Sequence, residues 1–147
     1  MNRMIVSAAA LAASLALAAP GYSQALPADP GSYWDVSAVE VEDGQDAAYL
    51  DFLAANWKQD QEFAKSKGYI KAYHVLTNDY PRKGEPDMYL ITIYDKWYDT
   101  PEQQRQQREY EEYKKKDTRK LIAESGGRAK MRTVTGTTLL REWVFKK

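Results

Sequence analysis

Between Met88 and Lys116 the chain changes character within a few residues. MYLITIYDKW (Met88–Trp97) is β-branched and aromatic, whereas PEQQRQQREYEEYKKK (Pro101–Lys116) is nearly all Gln, Glu, Arg, Lys and Tyr. The first stretch reads as a strand and the second as a helix with a thin apolar stripe, Tyr110 and Tyr113. Asp99 or Thr100 suits the N-cap, Pro101 suits the first helical position, and Thr100-Pro101-Glu102-Gln103 has capping-box form. Glu102 also lies where a helix N-terminus favours negative charge. A strand that hands over directly to a solvated helix restricts the fold to the mixed α and β classes. Capping chemistry accounts for the junction without a reaction there.

The rest of the chain supplies the other elements. Tyr33–Glu42 (YWDVSAVEVE) reads as a strand ended by Asp43-Gly44, with Asp43 or Asp46 available as the next cap. Asp46–Lys67 carries Tyr49, Phe52, Leu53, Asn56, Trp57, Phe63 and Ala64 near the 3.6-residue period and is the clearest helix. Gly68 is placed for a left-handed cap, with Tyr69 or Ile70 as its hydrophobic contact. Tyr69–Asn78 alternates as a strand, and Asp79–Asp87, with two Pro and a Gly, is the loop before Met88. The second helix is expected to break near Asp117 or Thr118 and to close at Ser125-Gly126-Gly127. Thr133–Phe145 is a last strand with a bulge expected at Gly136. The order β-α-β-β-α-β predicts an α+β, ferredoxin-like fold: a four-stranded antiparallel sheet with two helices on one face.

The chain has 147 residues and no Cys. Residues 1–25 read as a signal peptide: Arg3 precedes an uncharged Ala-rich run from Met4 to Ala19, Pro20-Gly21 breaks it, and Ser23-Gln24-Ala25 has the small-x-small form of a cleavage site. The run is short for a membrane span, which wants about 20 apolar residues; an uncleaved anchor is the alternative. Residues 26–32 then form a short spacer and 33–147 a single domain of the periplasm or exterior, with no membrane span after signal removal. Without Cys the core must hold this domain unaided by disulfides. A single His and no Cys exclude zinc spacings and thiolate nucleophiles, so no metal or cofactor is expected.

Formal net charge is zero but uneven. Residues 26–100 are acidic and 101–147 basic, which predicts electrostatic matching within the fold or across a subunit contact. No nucleic-acid partner is expected. The Lys114-Lys115-Lys116 run follows Glu109, Glu111 and Glu112, and the i,i+4 pairs Glu111–Lys115 and Glu112–Lys116 describe a solvated helix face.

Alternation then assigns sheet faces. Ala72 and Leu76 are expected to share an apolar side with Ile91 and Ile93 beneath the helices, joined by Leu140 and Val144. The open side would carry Lys71, Tyr73, Val75, Leu90, Thr92 and Tyr94, with Leu139, Arg141, Trp143 and Phe145 from the last strand. Such a surface is too apolar to stay bare and must be a subunit interface, a ligand cleft, or both.

In element order over Tyr33–Phe145, and in the junction YLITIYDKWYDTPEQ, the chain resembles the dimeric α/β-barrel superfamily, monooxygenase-like branch. The resemblance implies two ferredoxin-like subunits packed sheet to sheet as a homodimer, and a superfamily that includes cofactor-independent monooxygenases, heme-degrading monooxygenases and polyketide cyclases. Trp97 matches the Trp of the heme-degrading members by position. The helix Pro101–Lys116 lacks their His, and Asn56 lies on the first helix rather than the first strand, which disfavours heme chemistry.

The candidate ligand-binding residues are therefore Tyr73, Thr92, Tyr94, Arg141 and Trp143, facing a small aromatic or apolar molecule. Arg141 beside Trp143 would hold an anionic group or an inter-subunit carboxylate. His74, the only histidine, is the candidate general acid or base, or else a hydrogen-bonded core or sheet-edge residue between Ala72 and Leu76. Asp95 and Asp99 are a carboxylate pair or capping groups. Two functions follow: an exported ligand-binding domain, with a cofactor-independent monooxygenase-like or cyclase- and isomerase-like activity, or a non-catalytic dimerisation or sensing module whose sheet face is wholly an interface.

Overall fold

Val36, Val39 and Val41, with aromatic residues before them, favour an extended backbone, and the first strand, β1 (Ala28–Val41), occupies the middle of the sheet. The computed structural model describes residues 25–147; apart from Ala25, the expected signal peptide lies outside the described residues. β1 begins inside the stretch read as a spacer. Ala28, Asp29 and Pro30 pair with Phe145, Val144 and Trp143 of the last strand, β4 (Arg132–Phe145). Proline lacks an N–H, but Pro30 lies before Tyr33, where pairing on the other side of β1 starts, so no ladder donor is missed.

On that other side β1 pairs with β3 (Met88–Tyr94), and β3 with β2 (Ala72–Thr77). All three pairings are antiparallel and the order across the sheet is β2-β3-β1-β4. Ala38 faces Gly136 while Val39 faces Val134. Thr135 is thus the extra residue of a bulge, beside the glycine where one was expected.

Helix α1 (Asp46–Phe52) runs through a π-turn, Leu53–Trp57, into α2 (Lys58–Ser66). Gly68 then takes φ 72°, a conformation costly for any residue with a Cβ, and Tyr69 and Ile70 beyond it are buried. The junction after β3 is capped as its chemistry dictates: the Asp99 carboxylate accepts from the Glu102 N–H at 3.0 Å and opens α3 (Thr100–Lys114). Lys115, at φ 53°, ends α3. Asp117 accepts from the Lys120 N–H at 2.9 Å to start α4 (Thr118–Gly127), the break expected at Asp117 or Thr118. A 3-10 turn, Arg128–Lys130, leads into β4.

The two helical stretches meet around Phe63, which stacks on Tyr113 with centroids 4.2 Å apart. The Tyr69 hydroxyl donates to Glu109 at 2.5 Å and Lys114 pairs with Asp60 at 2.8 Å. The densest packing lies at one end, where Val39 and Met88 meet Tyr49 and Leu53.

The registers put Ala72, His74 and Leu76 on one side with Ile93, Ile91 and Tyr89, as expected, and Tyr73 and Val75 on the other with Thr92 and Leu90. The helices cover the second side, not the first. Trp57 meets Tyr73 edge-on at 5.4 Å, Thr92 lies 3.4 Å from Gln61, and Leu90 packs on the Tyr49–Leu53 core. The expected assignment of faces is therefore inverted on β2, β3 and β4, the three strands for which one was made. Leu140 and Val144, placed under the helices by sequence, are about half exposed on the bare side, at 51% each, as is Leu76 at 50%. Leu139 and Arg141 instead oppose Asp35 and Tyr33 on the covered side. Alternation fixes which residues share a side, but the choice of covered side was made on apolarity, and here the more apolar side is the bare one.

Candidate functional site

The covered side of the sheet is not filled by the helices. A cavity of about 390 Å³ lies between it and the helical layer, walled by Leu90 and Ser37 from the strands, Trp57 from the π-turn, Tyr110 from α3 and Leu121 from α4. A second space of about 370 Å³, toward Tyr94 and Gln106, shares Trp57, Asp60 and Tyr110 with the first. Volumes of a few hundred cubic ångströms are typical of small-ligand sites; the wall here mixes aromatic side chains with several charged ones.

The π-turn is what aims the floor of this space. One extra residue in a turn re-orients the side chains that follow, and such bulges concentrate at functional sites. Here it brings Asn56 and Trp57 together onto the cavity wall. The Asn56 amide also donates to the Phe52 carbonyl at 3.5 Å. Sequence periodicity read both residues as members of a packing stripe. Trp57 serves both ends, with one edge against Tyr73 and the core and another surface in the cavity.

Charged groups around the cavity fall into two sets. Asp60 is taken up by Lys114, and Glu124 by Lys116 at 2.6 Å. Tyr110 donates toward Asp60, and burial, followed by that hydrogen bond, raises its phenol pKa. Arg128 and Arg132 also line the cavity and form no ion pair with a carboxylate among the described residues. The Arg128 guanidinium lies 5.1 Å from the Phe52 ring centroid. Burial, then the charge of Arg132, lowers its pKa.

Along β1 the same side carries Tyr33, Asp35 and Ser37. Asp35 faces Thr92 across one ladder and Leu139 across the other, and one of its carboxylate oxygens is buried with no hydrogen-bond partner among the described residues. Burial raises its pKa. Tyr94, one ladder step away, is pushed up to about 12 by burial first and then by the charges of Asp35 and Tyr98. Trp97 packs on Tyr94 at 5.6 Å and on Tyr33 at 6.2 Å, and Arg141 caps the other side of Tyr33 at 4.6 Å.

The residues singled out by sequence are distributed as follows. Thr92, Tyr94 and Arg141 do share a side, with Tyr73, but it is the covered side. Tyr73 is occupied by Trp57 and by a hydrogen bond to Glu62. Trp143 is 55% exposed near the end of β4, opposite Pro30. His74 is exposed on the edge strand β2, opposite Ile91 on the bare side, the sheet-edge position rather than the core one. Asp99 is a cap, and Asp95 pairs with Lys71 at 3.3 Å.

Arg128, Arg132 and Tyr110 were missed as cavity residues, and so was the burial of Asp35, which lies on the same side of the sheet without lining either space. Asp35 had a signal: a carboxylate at the strand parity of Val39, the most deeply buried strand position. Arg132 likewise shares the parity of Val134 at the start of β4. Among the described residues no three His, Asp or Glu side chains converge as a metal site would require, and no helix is long and apolar enough to cross a membrane. Comparison with protein-family models, curated proteins and solved structures returned no match.

Proposed function

We propose that the protein is an exported, ferredoxin-like domain of the dimeric α/β-barrel type that binds a small ring-bearing molecule between its sheet and its helices. The observation that carries this reading is the cavity of about 390 Å³ floored by Leu90 and walled by Trp57, Tyr110 and Leu121. A strand order of β2-β3-β1-β4 with the helical layer on one side supports the fold type. The bare side supports dimerisation: Leu76, Leu140 and Val144 are about half exposed there, with Trp34, Val36 and Ala38 partly exposed between them, an apolar surface of the kind that marks a contact with another molecule. A second copy of the same sheet is the occupant, because four strands packed on four give the sheet-on-sheet geometry such surfaces favour.

Native mass spectrometry with naphthalene-1-methanol, a neutral bicyclic probe, tests both halves. The expected species is two chains with up to one probe molecule each. Leu121→Trp, which fills the cavity, should remove the probe and leave the dimer. A monomer refutes the sheet contact, and a probe that still binds the Leu121→Trp variant refutes the cavity.

A further inference from the structure

The cavity has charges its own wall does not balance. Of its carboxylates, Asp60 is committed to Lys114 at 2.8 Å and Glu124 to Lys116 at 2.6 Å. Arg128 and Arg132 stand on the same wall, one ending the α4 segment and the other opening β4, with no carboxylate in ion-pair reach among the described residues, although Asp60 and Glu124 act on Arg128 from farther off. Both are only partly exposed, and each lies close enough to Tyr49 for its charge to act on the phenol. Two like charges held together in a half-desolvated space repel one another unless an anion sits between them. Guanidinium groups are suited to that task because their planar donor forks match a carboxylate's two oxygens.

We infer that Arg128 and Arg132 form a clamp for the carboxylate of the ring-bearing ligand, so that the natural ligand is an aromatic or polycyclic acid. This rests on the cavity reading above. Phe52, beneath the Arg128 guanidinium at 5.1 Å, holds that side chain at the wall. Trp57, Tyr110 and Leu121 then receive the ring, while the acid group points toward the β4 end. The lowered pKa of Arg128, caused by burial and then by Arg132, is the strain that a bound anion would relieve.

Calorimetric titration with 1-naphthoate and with naphthalene-1-methanol separates the two readings, since the probes share a ring and differ in charge. The acid should bind at least about tenfold more tightly than the alcohol, and only its affinity should fall as salt is raised. Arg132→Met and Arg128→Met should each weaken the acid by about tenfold and leave the alcohol within about twofold. Arg128→Lys and Arg132→Lys keep the charge and lose the fork, so they should fall between wild type and the Met variants. They also serve if a Met variant does not fold. Equal binding of acid and alcohol, or acid binding untouched by every one of these substitutions, overturns the clamp while the cavity stands. Absence of binding by both probes removes the cavity reading and the clamp with it.

Discussion

The two sides of this sheet are dressed in opposite ways. The side under the helices carries Tyr33, Asp35, Ser37, Thr92 and Tyr94 as well as the core residues Val39 and Met88. The bare side carries Trp34, Val36, Ala38, Ile91 and Ile93, and adds Leu140 and Val144 on β4. A domain that had only to fold would leave little of the aliphatic set in water, since burial of each such side chain is worth about 1.5–3 kcal/mol. Ile91 and Ile93 are buried within the single chain, whereas Leu140 and Val144 stay half exposed, so the unburied apolar surface of the outer side lies on β4.

That contrast can be broken from either side. The largest effect is expected outside. Leu140→Asp combined with Val144→Asp changes two residues that are already half exposed in the single chain, so its helical and strand content by circular dichroism should be unaltered. In a sheet-to-sheet dimer the same carboxylates would be buried without partners. Sedimentation velocity should show dimer dissociation strengthened by roughly 1,000-fold, about 4 kcal/mol. An unchanged sedimentation profile would mean the aliphatic surface does not hold the subunits together.

Inside, Leu53→Ala removes a side chain that is 4% exposed in the core cluster with Val39, Tyr49 and Met88. Urea denaturation should show a loss of about 3 kcal/mol, and the loss should be the same in the Leu140→Asp/Val144→Asp background, because the two sites act through different sides of the sheet. Strong coupling between them would say that the two sides are one packing unit.

The smallest effect sharpens the polar character of the inner side. Burial raises the Asp35 pKa in the folded protein. The folded state therefore holds this proton more tightly than the unfolded chain does. Stability from Asp35 is fully present below its unfolded value near 3.8 and is lost as pH rises through the higher folded value. Asp35→Asn should abolish that loss. The variant should match wild type at the acid end of a urea series and exceed it increasingly toward neutral pH, by less than the Leu53 effect. A wild type that gains on the variant as pH rises would mean the carboxylate has a partner when folded.

Much of the chain was legible because its signals are local. Asp99 capping α3, Asp117 restarting a helix after Lys115, Gly68 at φ 72° and a bulge beside Gly136 each depend on a few neighbouring residues. Which residues of the middle strands share a side was legible too, though not their registers: Ala72 and Leu76 do lie with Ile91 and Ile93. What was not legible was which side the helices would choose. Period two groups residues but carries no sign, and the sign was supplied by the premise that the greasiest side goes inward. His74 followed that premise to the helix-facing side, whereas it is exposed on the bare side of the edge strand β2. Arg128 and Arg132 were hidden for another reason: they gain meaning only where a helix end and a strand start close the same space, and nothing in their immediate neighbours announces it.

The π-turn at Leu53–Trp57 has a consequence for how such a pocket can vary. A helix advances about 100° per residue. Dropping a single residue from this turn would re-phase everything from Lys58 onward and swing the indole of Trp57 off its wall, while Tyr49 and Leu53, upstream, kept their places. One codon gained or lost would therefore reshape the cavity wall at Trp57 and, through Gln61 and Glu62, disturb the contacts that α2 makes with Thr92 and Tyr73.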